Sequence, residues 1–249
     1  MKTYQEINKE TIDRWIEDGW EWGTPVSHEM YLKAREGEWE VFLTPTVPVP
    51  RAWLGDIEGK KILGLASGGG QQMPIFQALG ATCTVLDYAS KQIESECIVA
   101  EREGYSIEAI EGDMTKRLPF EDESFDIVFH PVSNCYIEEV QPVFDEAYRV
   151  LKKGGIFLAG LNNEVNYIVD EDERKIVWSM PFNPLKDERA REFMLKEEAG
   201  MQFSHTTAEQ IGGQLKAGFT LLDIYDDTNG FGRLHEMNIK TYIATKAIK

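Results

Sequence analysis

Three short stretches carry residue types that could hold a nucleoside. Gly68-Gly69-Gly70 follows the apolar run Ile62-Leu63-Gly64-Leu65, Asp87 closes a second apolar run nineteen residues after Gly68, and Gly112-Asp113-Met114 ends a third, shorter one. Consecutive glycines let a ligand lie against bare backbone, and the helix that follows offers free N–H groups. A carboxylate ending the strand beside that turn can accept both hydrogen bonds of a ribose diol. Asp113, one loop further along, can accept from an adenine amino group. Each feature alone also occurs as an ordinary turn or solvated strand end. In this order they read as an adenosine site.

Such residues need alternating elements to carry them. The pattern predicts strand 62–66, a helix over about 71–79, strand 82–87, helix 89–103 with Gly104 as C-cap, and a short strand 107–110. Strand 125–130 follows. Val140, Val143, Phe144, Ala147 and Leu151 then line one face of an amphipathic helix ended by Lys153-Gly154-Gly155, and strand 156–161 comes next. A helix from Thr206 or Thr207 to Gly218 leads to "TLLDIYDD" and "KTYIATKAI", read as an antiparallel pair at the sheet edge. The fold class is therefore α/β, a Rossmann-like doubly wound seven-stranded sheet, mostly parallel with an antiparallel last strand. Residues 1–58 hold five of the six tryptophans (Trp15, Trp20, Trp22, Trp39, Trp53), with one predicted helix in "KETIDRWIEDG", and read as an N-terminal helical cap. Residues 59–249 form the main domain, with a helical insertion at about 163–204.

Composition narrows the partners. The 249 residues carry 26 basic against 43 acidic side chains, a net charge of −17, which disfavours duplex nucleic acid and suits a cationic ligand. No apolar run is long enough for a membrane helix, and "MKTYQEINKETIDRW" lacks the apolar core of a signal peptide, so the expected location is cytoplasmic. Cys83, Cys97 and Cys135 read as reduced core thiols, and the scattered histidines form no metal-ligand cluster.

The glycine turn, the acid after strand two, the "GDM" after strand three, "LPFEDESFDIVF" and "VLKKGGIFLAG" together resemble class I S-adenosylmethionine-dependent methyltransferases. The resemblance spans about residues 60–162 and extends to the terminal strands. It implies binding of S-adenosylmethionine, with S-adenosylhomocysteine as product, through Ala66, Ser67, Gly68, Gly69, Gly70, Gln71 and Gln72 in the loop. It further implies Asp87 and Tyr88 at the ribose, Gly112, Asp113 and Met114 at the adenine, and His130 in the loop near the methyl group. The sequence departs from the family at Gly64, where strand one usually carries an acid, and at Ala66, where the loop usually has its first glycine. Gln71 and Gln72 are candidates to hold the methionine amino group instead.

His130 is the candidate general base, since an imidazole can take a proton near neutrality; its bland alternative is a ring that only bonds backbone. Asn134, Tyr136 and Trp22 are candidate substrate residues. The cap tryptophans suggest an aromatic wall over a small apolar or aromatic acceptor. Three other readings compete. A nicotinamide dinucleotide oxidoreductase wants G-x-G-x-x-G, whereas Met73 stands where the last small residue belongs. An aminopropyltransferase wants acids where Gln71 and His130 stand. A non-catalytic binder of S-adenosylmethionine or S-adenosylhomocysteine, acting through partners, would share the whole cofactor site.

Overall fold

The computed structural model describes residues 2–249. Its seven strands are β1 (Lys61–Leu65), β2 (Thr82–Asp87), β3 (Glu108–Glu111), β4 (Phe125–His130), β5 (Leu151–Asn162), β6 (Thr220–Asp227) and β7 (Tyr242–Ile248). They form one sheet in the order β3-β2-β1-β4-β5-β7-β6. The β1, β2, β3, β4 and β5 pairings are parallel, and β7 runs antiparallel to both β5 and β6. This is the expected Rossmann-like doubly wound sheet.

Helices are α1 (Tyr4–Glu17), α2 (His28–Arg35), α3 (Arg51–Leu54), α4 (Gln72–Ala78), α5 (Ser90–Glu103), α6 (Gln141–Val150), α7 (Glu188–Lys196), α8 (Thr207–Ala217) and α9 (Gly232–Glu236). The strand period of two sends neighbouring residues to opposite faces. Ile62 and Ile127 join Met73, Ile75 and Phe76 of α4 in one core, while Leu63 and Val128 join Val143, Phe144 and Ala147 of α6 in the other. Both faces are covered, which is why β1 and β4 read as near-continuous apolar runs.

Residues 2–58 hold three α-helices where one was predicted, and three further departures from the sequence reading lie beyond them. First, α6 ends at Val150 and β5 begins at the next residue, so Lys153-Gly154-Gly155 lies inside a strand. Gly154, at φ +77°, turns the chain there, and the β4–β5 register shifts between Phe125 and Ile127. Second, the 163–204 stretch is largely irregular: besides a single turn at Glu164–Tyr167 and an isolated antiparallel bridge between Val169 and Ile176, it contains only α7. Pro181 and Pro184 cannot continue a helix. Phe182, Ala190, Met194, Met201 and Phe203 instead build a small separate core that Tyr4 and Ile7 of α1 complete. Third, Cys97 is exposed, whereas Cys83 and Cys135 are buried.

The Trp-rich segment divides in two. From Val26 onward it is packed into the central core through Val26, Ala34, Val41, Leu43, Val49, Trp53, Leu54 and Ile57. Ahead of that, α1 is tied down by polar contacts. Its N-terminus carries a capping box between Thr3 and Glu6. Asn8, 4% exposed, donates to the carbonyls of Tyr136 and Met201, both at 2.9 Å, and accepts the Met201 N–H. Asp13 accepts the Lys91 N–H at 2.9 Å, capping an α5 terminus that has no side-chain cap of its own.

Candidate active site

At the carboxyl ends of the strands lies a cavity of about 400 Å³. Its floor on the β1–β3 side is built from Ala66, Ser67, Gly68, Gln71 and Gln72 after β1, Asp87 and Tyr88 after β2, and Gly112, Asp113 and Met114 after β3. Asp87 is the hub. Its Oδ2 accepts the Gly68 N–H at 3.0 Å and its Oδ1 accepts the Ala89 N–H at 3.1 Å, leaving each oxygen a further lone pair. Burial pushes its carboxyl up to about 6, against the pull of those N–H bonds. Asp113 Oδ1 accepts from the Thr115 N–H at 2.8 Å and the Thr115 hydroxyl at 2.6 Å. Leu86 and Met114 add apolar wall, and Ser67 Oγ and Gln92 Oε1 are buried without partners. This set suits an adenosine: apolar sides, acids at the two ends, and spare hydrogen-bonding capacity between.

The glycines serve the protein first. A Cβ at Gly68 would come 2.6 Å from Gln92 Cβ and 3.1 Å from Asp87 Oδ2, so a side chain here would displace the acid. Gly69 and Gly70 do not line the cavity. The Gly69 N–H goes to the Gln92 carbonyl at 3.0 Å, and the Gly70 N–H to Glu96 Oε1 at 2.9 Å. Their expected role as cofactor contacts is thereby corrected: both turn their N–H groups into α5. Ala66 adopts φ +48°, the left-handed region that explains a glycine preference at this position. At Gly64 a Cβ would lie 2.8 Å from Met73 Sδ, so the strand-one acid is replaced by a methionine packed against bare backbone.

The roof comes from the N-terminal segment. Gln5, Asn8, Lys9, Ile12 and Trp15 of α1 line the cavity with Trp20, Trp22 and residues 42–45. Gln71 Nε2 donates to the Glu21 carbonyl at 2.7 Å, and Gln72 Oε1 accepts the Phe42 N–H at 3.0 Å. Both glutamines therefore bind this segment to the glycine turn. Of the five tryptophans, Trp39 and Trp53 lie elsewhere: Trp39 stacks under Arg51 at 4.5 Å, and Trp53 donates to Asp223 at 2.8 Å. The aromatic wall is thus Trp15, Trp20 and Trp22.

His130 does not reach the cavity, which corrects its expected role as base or cofactor contact. It is 0% exposed, with Nδ1 2.9 Å from the Leu65 carbonyl and Nε2 2.8 Å from Asn134 Oδ1. Burial holds its pKa below the ordinary histidine value. Asn134, also 0% exposed, bonds Gln210 Oε1 at 3.3 Å, and Gln210 Nε2 donates to the Asn162 carbonyl at 2.7 Å. This chain ties the end of β4 to the end of β5 beneath the site. Asn134 is therefore framework, not a substrate contact.

Tyr136 and Trp22, by contrast, do line the cavity. On the β4–β5–β7 side it is bounded by Pro131, Val132, Ser133, Cys135, Tyr136, Asn162, Tyr167, Gln202 and Tyr242. The sequence reading missed Asn162, although it ends β5 as Asp87 ends β2, and the strand-end rule would have found it. Tyr242 stands opposite Asn162 in the β5–β7 register. Burial raises all four titratable groups on this side, pushing Cys135 to about 12 and holding Tyr136, Tyr167 and Tyr242 above the ordinary phenol range.

A glycine turn after β1, an acid ending β2, Gly-Asp after β3 and a β7 inserted antiparallel beside β5 define a class I S-adenosylmethionine-dependent methyltransferase. A family model described as a methyltransferase domain matches residues 63–159. Over 97% of its length the chain is 38% identical to the uncharacterized methyltransferase YbaJ of Bacillus subtilis, and it covers 97% of that protein. The chain belongs to this family of methyltransferases. Among solved structures it resembles an S-adenosylmethionine-dependent methyltransferase from Mesorhizobium loti, with TM-score 0.63 at 18% identity over 80% of this chain and 95% of that one. It also resembles geranyl diphosphate C-methyltransferase from Streptomyces coelicolor A3(2), with TM-score 0.63 at 13% identity over 100% and 98% of the two chains. At these identities the likeness is one of fold. Among the described residues no helix is long and apolar enough to cross a membrane.

Proposed function

We propose that this methyltransferase acts on a small molecule enclosed with the cofactor in one cavity. The observation that carries this is the cavity itself: about 400 Å³, continuous from the glycine turn to Asn162 and Tyr242, and roofed by α1. That volume is in the range of small-molecule sites, and the α1 roof favours an acceptor small enough to enter over a folded protein or duplex.

In this reading Asp87 holds the ribose diol, Asp113 and Met114 border the adenine, and Ser67 and Gln92 supply the remaining polar contacts. The bound cofactor supplies an activated methyl on a sulfonium. The chain's own work is to hold the acceptor in line, keep water out with α1 and Trp15, Trp20 and Trp22, and offer π faces to positive charge. No histidine lines the cavity among the described residues. A non-catalytic binder would not need the second, tyrosine-lined half of the cavity.

The test is incubation of the protein with methyl-labelled S-adenosylmethionine and fractionated metabolite pools. Label in a compound of a few hundred daltons is expected. Label found only in protein or nucleic acid, or cofactor binding with no turnover in any pool, would refute the reading.

A further inference from the structure

Asn162 marks what the acceptor must bring. Its side chain is 2% exposed, and its Oδ1 is buried without a partner. The orientation of its amide follows from the far end of a short relay. Gln202 Nε2 donates to the Ala199 carbonyl at 3.0 Å, which leaves Gln202 Oε1 for the Tyr167 hydroxyl at 3.3 Å. The Tyr167 hydroxyl, which also lies beside the Cys135 thiol, donates to Gln202 and accepts from Asn162 Nδ2 at 2.8 Å. The nitrogen of Asn162 is thus spoken for, and its oxygen is an unclaimed buried acceptor on a residue that lines the cavity. A buried carbonyl oxygen without a donor costs free energy that a ligand N–H or O–H would recover.

The oxygen belongs to the acceptor half. Strands lie about 4.8 Å apart, which places the end of β5 roughly 10 Å along the sheet from the glycine turn, with β4 between. The ribose and adenine acids lie on the opposite side, after β2 and β3.

What this half lacks is equally specific. The charged residues lining the whole cavity are Lys9, Asp87 and Asp113. Lys9 is paired with Glu111, and all three belong to the adenosine side or its roof. An anionic acceptor such as a carboxylate, phenolate or thiolate would meet no cationic side chain in this half to draw it in and hold it. A neutral alcohol or phenol would meet no base, because Cys135, Tyr136, Tyr167 and Tyr242 are held in their neutral forms. A nitrogen free base needs neither, since its lone pair is nucleophilic while the molecule is neutral.

Resting on the proposed small-molecule methyl transfer, we infer that the acceptor is a neutral nitrogen compound with an N–H group, an aryl amine or N–H azole, and that Asn162 Oδ1 selects it. The nitrogen lone pair forms the N–CH₃ bond as the S–CH₃ pair leaves on sulfur. The sulfonium becomes a neutral thioether, the nitrogen becomes cationic, and its proton passes to water as product departs. Tyr136, Tyr167 and Tyr242 face that new charge with electron-rich rings.

The experiment offers benzimidazole, indoline and aniline, alongside phenol, thiophenol, benzoate and a prenyl alcohol, to the protein with labelled S-adenosylmethionine. S-adenosylhomocysteine binding is measured separately by calorimetry, so that loss of the cofactor reading is seen on its own. Label is expected on nitrogen only. Calorimetry should also show a nitrogen probe binding to the S-adenosylhomocysteine-loaded protein, about tenfold or more weaker in Asn162→Leu, with S-adenosylhomocysteine affinity itself unchanged. Tyr167→Phe, which frees the amide to turn, should raise the acceptor KM with little change in kcat. Methylation of the phenol, thiol, acid or alcohol instead overturns the inference. So does an Asn162→Leu protein with unchanged acceptor affinity, or a full panel left unmethylated by protein that binds S-adenosylhomocysteine.

Discussion

Glu96 and Gly70 meet beneath the glycine turn without any counter-charge. Glu96 Oε1 accepts the Gly70 N–H at 2.9 Å, its Oε2 has no partner, and the side chain is 0% exposed. The Gly70 carbonyl in turn accepts the Val26 N–H at 2.9 Å, so one buried acid supports both the turn and the segment packed over it.

Burial pushes the Glu96 carboxyl up to about 8, from an ordinary value near 4.5. Because the folded-state pKa is raised, the folded protein keeps this proton where the unfolded chain has lost it. Stability from this group is therefore full below about pH 4.5, declines as pH rises, and reaches its lowest level above about 8. Glu96→Gln keeps an oxygen for Gly70 and cannot ionise. It should stabilise the fold at pH 8, by on the order of 3 kcal/mol, and have much less effect at pH 5. Urea unfolding at the two pH values measures this; an effect that does not grow with pH would show that Glu96 has an unseen cation partner.

Asp87 gives a pH dependence of the opposite kind, in binding. In the proposed ribose-holding role its carboxylate must be ionised to accept two hydroxyls, and burial pushes it up to about 6. Affinity for S-adenosylhomocysteine should be level above pH 7 and fall as pH drops through about 6, reaching about tenfold weaker one unit below. A flat affinity from pH 5 to 8 would remove Asp87 from the ribose.

For His130 the expectation is structural. His130→Gln should lower stability by about 2–3 kcal/mol through its broken buried bonds, while the pH profile of kcat/KM keeps its shape. Disappearance of one limb of that profile would restore the histidine as a proton acceptor.

The roof has its own handle in Asn8. Asn8→Leu strips three hydrogen bonds that join α1 to Tyr136 and Met201. It should weaken S-adenosylhomocysteine binding severalfold and blunt the change in tryptophan emission that cofactor causes at Trp15, Trp20 and Trp22. Unaltered binding and emission would mean that α1 is packing and not a lid.

The sheet order, the glycine turn, Asp87 and Gly112-Asp113-Met114 were legible because each is local: a strand end followed by a turn. His130 was placed correctly at the end of β4, but nothing in its neighbours says whether the ring points to the cavity or under it. Glu96 resembled any helix charge, although its spacing from Gln92 and Val99 puts it on the buried face. Asn8, Lys9 and Ile12 reach the cavity through contacts across more than a hundred residues, and Tyr242 enters through an antiparallel register. Neither relation leaves a local signal. Residues 163–204 looked helical by composition, but their apolar side chains pack against α1 instead.

In the proposed site the β1–β3 end of the cavity binds the adenosine of the cofactor through Asp87. Calorimetric titration of S-adenosylhomocysteine at pH 7.5 into the wild-type chain and Asp87→Ala tests it most directly. The wild type should bind one equivalent. Asp87→Ala, folded by circular dichroism, should bind more weakly by about 1.5–3 kcal/mol, as expected when hydrogen bonds to a charged acceptor are removed. Equal affinity in the two proteins, or no binding by the wild type, would contradict the account.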